Sequence, residues 1–455
     1  MPKKKTALTI EERLQQALVP AEEQPYEVPE NWVWVRLGAI AEIVTGGTPS
    51  KKHPEYYGGN FPFYKPSDLD QGRLTYDASE YLSEEGKKVS RIIPKNSTAV
   101  CCIGSIGKCG YLMCEGTTNQ QINSAIPKIN SLCLYYYLCT ENFVQELLSM
   151  ASATTIAIVN KSKMESCAFP LPPLSEQQRI VERIEELFAK LDEAKERLQE
   201  VADSFAVRKA AILHKAFTGE LTKQWRLENG VSDESWEEKK LGEVCSVNPR
   251  KIDAKNLDDN LEVSFIPMAA VSDVLGEIVN PEVKNLEDVR TGFTNFAEGD
   301  VIFAKITPCM ENGKSAVVGP LLNDIGYGST EFYVLRCKEE LYNKYLYHMV
   351  RNTTFRAEAK AVMTGAVGQQ RVPKTFLQEY QLLLPTIPEQ HEIVRLIDDL
   401  LARERAAQQA TEQALASIDL MKKSILARAF RGELGTNKAS EASALELLRQ
   451  VLAEN

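Results

Sequence analysis

The sequence predicts an α+β protein built as an internal repeat: two similar domains of short strands and turns, each running into a long helix, the two helices packed antiparallel as a coiled coil. Three observations carry this. First, the stretch from Leu174 to Leu221 recurs, degenerate but ungapped, from Ile387 to Leu434. Glu176, Gln177, Ile180 and Val181 fall on Glu389, Gln390, Ile393 and Val394, and Ala216, Phe217, Gly219, Glu220 and Leu221 fall on Ala429, Phe430, Gly432, Glu433 and Leu434. Shared Ala and Leu richness cannot give the same opening and the same ending at one fixed offset, so this is a repeat. Second, apolar residues in the first copy (Ile180, Ile184, Leu187, Leu191, Ala194, Leu198, Val201 and Phe205) are spaced alternately four and three apart, the pattern of a coiled-coil seam. Third, the segments before the helices open on one frame, Trp32-x4-Leu37-Gly38 and Trp236-x4-Leu241-Gly242, so the repeating unit is domain plus helix.

In chain order, residues 1–31 hold an amphipathic helix from about Thr9 to Leu18 and a Pro-punctuated linker from Pro20 to Pro29. Residues 32–173 form the first domain. Its short apolar runs, broken by Gly, Pro, Asn and Asp, read as strands and tight turns, with a helix from Leu132 to Met150. Residues 174–221 are the first long helix: Ser175 with Gln178 makes a capping box after Pro172 and Pro173, and no Pro or Gly follows until Gly219. A linker, 222–235, leads to the second domain, 236–386, with a helix from Leu341 to Met363. The second long helix, 387–434, opens with Pro388 at its start and carries Ile393, Ile397, Leu400, Ala407, Ala414, Ile418 and Ile425 in the same register. Its seam is poorer, because Glu404 and Thr411 replace Leu191 and Leu198. Helices of about 43 residues would be ~65 Å long and unstable alone with so much apolar stripe exposed, so the economical arrangement packs them on each other. The tail, 435–455, has a short helix from Ser440 to Leu452, placed to pack near the N-terminal helix.

Composition is that of a soluble chain, 44% apolar and 25% charged over 455 residues. No apolar run of membrane-spanning length and no signal peptide occurs, so the expectation is cytoplasmic with no membrane partner. Ten Cys sit mostly in apolar runs without a CxxC pair and read as buried thiols; with four His and none near a Cys pair, no structural zinc is expected. A net charge of −10 argues against a protein that coats nucleic acid and leaves room for a basic cleft on an acidic body.

Enzyme motifs fail one by one. Asn312-Gly313-Lys314-Ser315 imitates the end of a phosphate-binding loop, but Pro308 stands where its first Gly must be. Gly104-Ser105-Ile106-Gly107-Lys108 has Cys109 in the Ser/Thr position. There is no NPPY-like methyl-transfer motif and no GxSxG elbow, and Pro281-Glu282-Val283-Lys284 is too short to mark a nuclease core. The chain reads as one that recognises and does not catalyse.

What it recognises is suggested by polar and cationic loop clusters in both halves. Asn and Gln can pair with adenine, Arg and Lys with guanine, while Ser, Thr and glycine-loop amides hold phosphates. Candidate DNA contacts are Thr48, Ser50, Lys51, Lys65, Ser67, Lys108, Asn119, Gln120, Gln121 and Asn123 in the first domain, and Lys305, Thr307, Lys314, Ser329, Thr330, Gln369, Gln370 and Arg371 in the second.

The order of GGTPSKK…YYGGNFPFYKPSDL, TNQQINSA, PLPPLSEQQRIVERI and AFTGELT, then GSTEFYVLR, TGAVGQQRVPKTFL, LPTIPEQHEIV and AFRGEL, resembles the DNA-specificity subunit of type I restriction–modification systems. The resemblance covers nearly the whole chain. It implies two target-recognition domains, each reading half of a split double-stranded DNA site, separated by an antiparallel helical pair that sets the gap. It also implies a non-catalytic subunit without a cofactor of its own, bound to two methyltransferase subunits and to restriction/translocase subunits, which would use S-adenosylmethionine, ATP and Mg. One departure stands out: SATTIAIVNKSKM occupies the place of TGAVGQQRVPKTF, so Ala157, Ile158 and Asn160 offer less polar readout there than Gln369, Gln370 and Arg371. Two other readings compete, a fused modification–restriction enzyme, against which the missing motifs weigh, and a coiled-coil adaptor with two protein-binding heads, which would select no DNA sequence.

Overall fold

A computed structural model of the chain describes residues 9–152, 157–250, 257–366 and 368–454. It divides into two compact units, Met1–Gln199 with Gln413–Asn455, and Glu200–Glu412. Each unit takes one strand-rich domain and a portion of both long helices, Leu174–Phe217 and Ile387–Ala429. In the first unit Asp192 pairs with Lys422 and, three residues on, Lys195 pairs with Asp419 at 3.6 Å, three residues back: the helices run antiparallel. In the second unit Arg208 pairs with Glu404 at 2.9 Å. The polar residues interrupting the second copy's seam are thus satisfied, Glu404 by Arg208 and the buried Thr411 by donating its hydroxyl to the Ala407 carbonyl at 2.8 Å. Val201, expected on the seam, is 40% exposed. Ala407, expected on the seam of the second copy, is exposed as well, so the stripe is not closed along its whole length.

The first long helix already begins at Leu174, with the Pro173 carbonyl accepting from the Glu176 and Gln177 amides. Ser175 therefore lies within the first turn instead of capping it, because the two prolines fix an extended entry one residue earlier. The repeated Glu-Gln pair does different work. Gln177 accepts the Asn130 amide at 3.1 Å and donates to the Pro172 carbonyl at 2.9 Å; Gln390 accepts the Tyr342 amide at 2.7 Å and donates to Pro385 at 2.8 Å. Each Gln welds its long helix to the helix of its own domain. The fully buried Glu176 takes Trp32 Nε1 at 2.7 Å, Thr436 Oγ1 at 3.1 Å and Asn437 Nδ2 at 2.9 Å. The equally buried Glu389 takes Thr222 Oγ1 at 2.6 Å and Arg226 Nη1 at 2.7 Å. In each unit, then, the segment that follows one long helix is clasped by the buried carboxylate at the start of the other.

The two domains share the strand order of one four-stranded sheet, while their mixed sheets have three strands in the first domain and four in the second. In the first, Ala41–Thr45, Ile122–Pro127, Thr98–Cys101 and Cys109–Tyr111 lie side by side in that order; in the second, Cys245–Val247, Phe332–Cys337, Val301–Ala304 and Ser315–Val317 do the same. The Trp-x4-Leu-Gly frame is the entry strand of each domain, Val33–Arg36 against Ala168–Leu171 and Glu237–Lys240 against Gln381–Leu384, antiparallel. Its glycine is forced by close approach: a Cβ on Gly242 would lie 2.9 Å from the Gln378 carbonyl oxygen. The helices expected as single stretches near the domain ends are each broken in two, Ser131–Leu138 from Glu141–Met150 and Asn343–Arg351 from Thr353–Ala361. Thr140 and Asn352 cause the breaks, with extended backbone and side chains accepting from Phe143 and Thr354 amides at 3.3 and 2.9 Å. Terminal helices Ile10–Ala17, capped by Thr9, and Ala444–Ala453, capped by Ser443, pack on each other in the first unit, and Arg13 donates to the Leu452 carbonyl at 3.3 Å. All ten thiols are free and buried or half-buried. Among the described residues no helix is long and apolar enough to cross a membrane.

Candidate nucleic-acid interface

In the first unit the strand order brings three separate loops together. The Gly47 amide donates to Thr118 O at 2.8 Å, and the Asn119 amide to Tyr64 O at 3.1 Å. Thr48 donates its hydroxyl to Gln120 Oε1 at 2.5 Å. Gly46 is dictated by the crossing, since a Cβ there would lie 2.2 Å from Asn119 O. Thr48, Ser50, Lys51, Ser67 and Gln120 are exposed on this cluster, while Lys65 is half-buried and paired with Glu80 at 2.8 Å. Asn119 and Asn123 are buried and hold the loops from inside: Asn119 donates to Gln121 Oε1 at 3.0 Å, and Asn123 accepts from Thr45 Oγ1 at 2.7 Å. Lys108 is drawn to Asp70 at 2.7 Å.

The second unit gathers its loops the same way. Thr307 and Gln370 exchange two hydrogen bonds, amide to carbonyl at 3.0 Å and amide to hydroxyl at 3.1 Å. Lys305 donates to the Thr330 carbonyl at 2.7 Å and lies over the Tyr333 ring at 5.2 Å. Arg371 grips Glu331 with Nε and Nη2, at 2.9 and 2.7 Å, while Nη1 donates to the Gln369 carbonyl at 3.1 Å. Ser329 shapes the turn by accepting the Glu331 amide at 3.2 Å. Thr330, Gln369 and Arg371 face solvent. Lys314 donates to Met268 O at 3.1 Å, turned to another segment as Lys108 is.

Both clusters rest on one backbone frame. The Cys102 amide donates to Gln121 O and the Val159 amide to Cys102 O; in the second unit the Lys305 amide donates to Glu331 O and the Val372 amide to Lys305 O. Ile158 bridges Ile103 and Ser152 as Arg371 bridges Ile306 and Thr364. The neighbours Cys102, Gln121 and Ile158 thus occupy the places of Lys305, Glu331 and Arg371. Asn160, at the poorer end of this comparison, caps a helix by accepting the Lys163 amide at 2.9 Å. Residues 153–156 and Val367, part of the compared loops, lie outside the described residues.

A family model for the type I restriction modification DNA specificity domain matches residues 29–203 and again 233–415. The chain belongs to that family. Its relatives include the EcoEI specificity subunit of Escherichia coli, 32% identical over 263 residues that make up 49% of this chain and 44% of that one. The EcoAI specificity subunit of Escherichia coli is 37% identical over 187 residues, 41% of this chain and 31% of that one, so these two matches span less than half of either relative. The StySPI specificity subunit of Salmonella potsdam matches at 22% identity over 452 residues, 94% of this chain and 96% of that one. The fold is that of the HsdS subunit from Thermoanaerobacter tengcongensis, with TM-score 0.63 at 19% identity, covering 90% of this chain and 99% of that one. A chain from a structure of the type I R-M system, described for its assembly and conformational transition, gives TM-score 0.65 at 19% identity, covering 90% and 100%.

Charge on the clusters is held by partners that the loop composition did not reveal. The Arg371 guanidinium keeps the Glu331 carboxyl below the usual carboxylate range. Glu331 belongs to the polar run Gly328-Ser329-Thr330-Glu331 in the sequence but is not among the candidate contacts, because acidic residues are not sought at a DNA surface. Arg91 was missed too; it is exposed and donates to the Thr45 carbonyl at 2.5 Å, beside the first cluster. Its only local signal is a cation before an apolar pair in SRIIPKN.

Proposed function

We propose that this chain is the DNA-reading subunit of a type I restriction–modification complex. Each loop cluster reads one half of a split duplex site, the long helices carry the methyltransferase subunits, and restriction subunits join that assembly. The chain performs no chemistry; S-adenosylmethionine, ATP and Mg serve the partner subunits. The observation that carries this reading is the shared frame with exchanged side chains. A recognition scaffold keeps its backbone and varies the groups it offers to base edges; Gln121 and Ile158 against Glu331 and Arg371 is such an exchange, while the buried Cys102 offers nothing at the place of Lys305. Selection by the full chain, with its methyltransferase partner, from a pool of random duplexes tests it. Two short words separated by an unread gap are expected; enrichment of no sequence would favour a protein-binding adaptor.

A further inference from the structure

The second unit contains a cavity of about 1130 Å³ between its domain and its share of the long helices. Four cations converge on it: Lys209 and Arg405 from the long helices, Arg351 and Arg356 from the domain. The internal repeat supplies a control. The Asn130 amide bonds Gln177 as the Tyr342 amide bonds Gln390, and Tyr136 bonds Glu185 at 3.4 Å where His348 bonds Asp398 at 3.0 Å. In that register the first unit has Cys139, Val144 and Asp192 where the second has Arg351, Arg356 and Arg405. The hairpin glycines agree, Gly107 facing Val144 and Gly313 facing Arg356. Lys422, the counterpart of Lys209, is neutralised by Asp192 and lies over Phe188 at 5.1 Å. In the second unit the neutralising aspartate has become an arginine.

Arg351 donates to the carbonyls of Gly313 at 2.7 Å and Asp273 at 2.8 Å, and Arg356 to that of Arg351 at 3.2 Å, bonds that aim the guanidinium groups and leave their charge. Among the described residues, none of the four cations lies within ion-pairing distance of a carboxylate. Of the acidic lining, Glu404 pairs with Arg208, and Asp398 bonds His348 and lies in the fields of Lys344 and Arg405; Asp273 and Glu277 complete it, with Lys344 a fifth cation. Burial and the fields of Arg351, Arg356 and Arg405 hold the Lys209 ammonium below its usual range. Like charges converging on one concave wall, Arg351 and Arg356 half-buried and Lys209 and Arg405 at its open side, favour an anion, and guanidinium forks match phosphoryl oxygens. The remaining wall, with Phe205, Leu213, Val317, Leu321 and Tyr347, is apolar and suits an organic body.

We propose that this cavity binds a phosphoryl-bearing ligand, held by Lys209, Arg351, Arg356 and Arg405. The inference does not rest on the DNA-reading role of the loops. The source of the phosphoryl group is either a free nucleotide-sized molecule or a nucleic-acid backbone. The test measures thermal unfolding of the full chain during titration with pyrophosphate, with ADP, and with a short duplex lacking the target site. Arg405→Asp and Arg356→Val, which copy Asp192 and Val144, serve as variants whose fold the first unit already accommodates. A saturable rise in unfolding midpoint with pyrophosphate or ADP, weakened at least tenfold in apparent affinity by Arg405→Asp, supports a free ligand. The same dependence with duplex alone supports the backbone source. Absence of response to all three probes, or an equal response in both variants, overturns the proposal.

Discussion

Arg371 is the most exposed cation of the second cluster, yet Nε and Nη2 of its guanidinium are spent on Glu331 and Nη1 on the Gln369 carbonyl. DNA must compete with that carboxylate, so Glu331→Gln should release Arg371 and strengthen binding to duplexes of any sequence. The slope of log affinity against log salt should steepen by about one phosphate contact, read from binding over a range of salt. An unchanged slope would mean that Arg371 remains pinned by its backbone bridge. The same pair gives a pH dependence. Glu331's folded carboxyl is lowered, so its contribution is complete above the unfolded carboxylate pKa of about 4.3 and is lost as pH falls through the lower folded value. The protection of the amides in residues 364–371, exchange taken relative to the intrinsic rate at each pH, should fall below about pH 4 and be flat from 5 to 8. At this scale the polar character of the loops was legible in the sequence, because Gly, Asn and Thr at turns announce themselves. Which side chains face out was not: Asn123 and Asn119 are buried by strands far away in the chain.

The long helices were legible from periodicity and repetition. The clasp that fixes their ends was not, because its partners are local turns with no period: Thr436 and Asn437 for Glu176, Thr222 and Arg226 for Glu389. Glu389 is fully buried beside a nearly buried Arg226 whose other carboxylate partner, Asp233, is exposed, so Glu389→Ala leaves Arg226 Nη1 and the Thr222 hydroxyl without their buried acceptor and should cost about 1–3 kcal/mol, read from the shift in denaturant midpoint. A loss below ~1 kcal/mol would show that water enters the site. The outer helix face behaves differently. Arg183 and Lys190 both pair with Glu186, and Arg197 with Glu193, all exposed and within one helix. Reversing these three cations to Glu should change stability by less than about 0.5 kcal/mol each, since exposed pairs contribute little. Assembly with the methyltransferase should nonetheless weaken, measured by co-purification; assembly that is untouched would make the helices spacers only. The helix breaks at Thr140 and Asn352 escape a reading by periodicity, because an apolar stripe outweighs a single capping residue.

For the molecule as a whole, the repeat that makes the fold readable also limits what can be read of function. Two domains with one strand order in the four-stranded sheet suggest a symmetric target, but the frame carries Cys102, Gln121 and Ile158 in one half and Lys305, Glu331 and Arg371 in the other. The two words of the site should therefore differ, and each should depend on its own domain alone. The measurement that tests this most directly compares selections from a random duplex pool by the unaltered chain and by a triple variant, Gln369→Ala, Gln370→Ala and Arg371→Ala. The account predicts two different words for the unaltered chain; in the variant one word relaxes, by about 1–3 kcal/mol for each base-reading side chain removed, while the other stays unchanged. Equal weakening of both words, or no sequence preference in either selection, would contradict it.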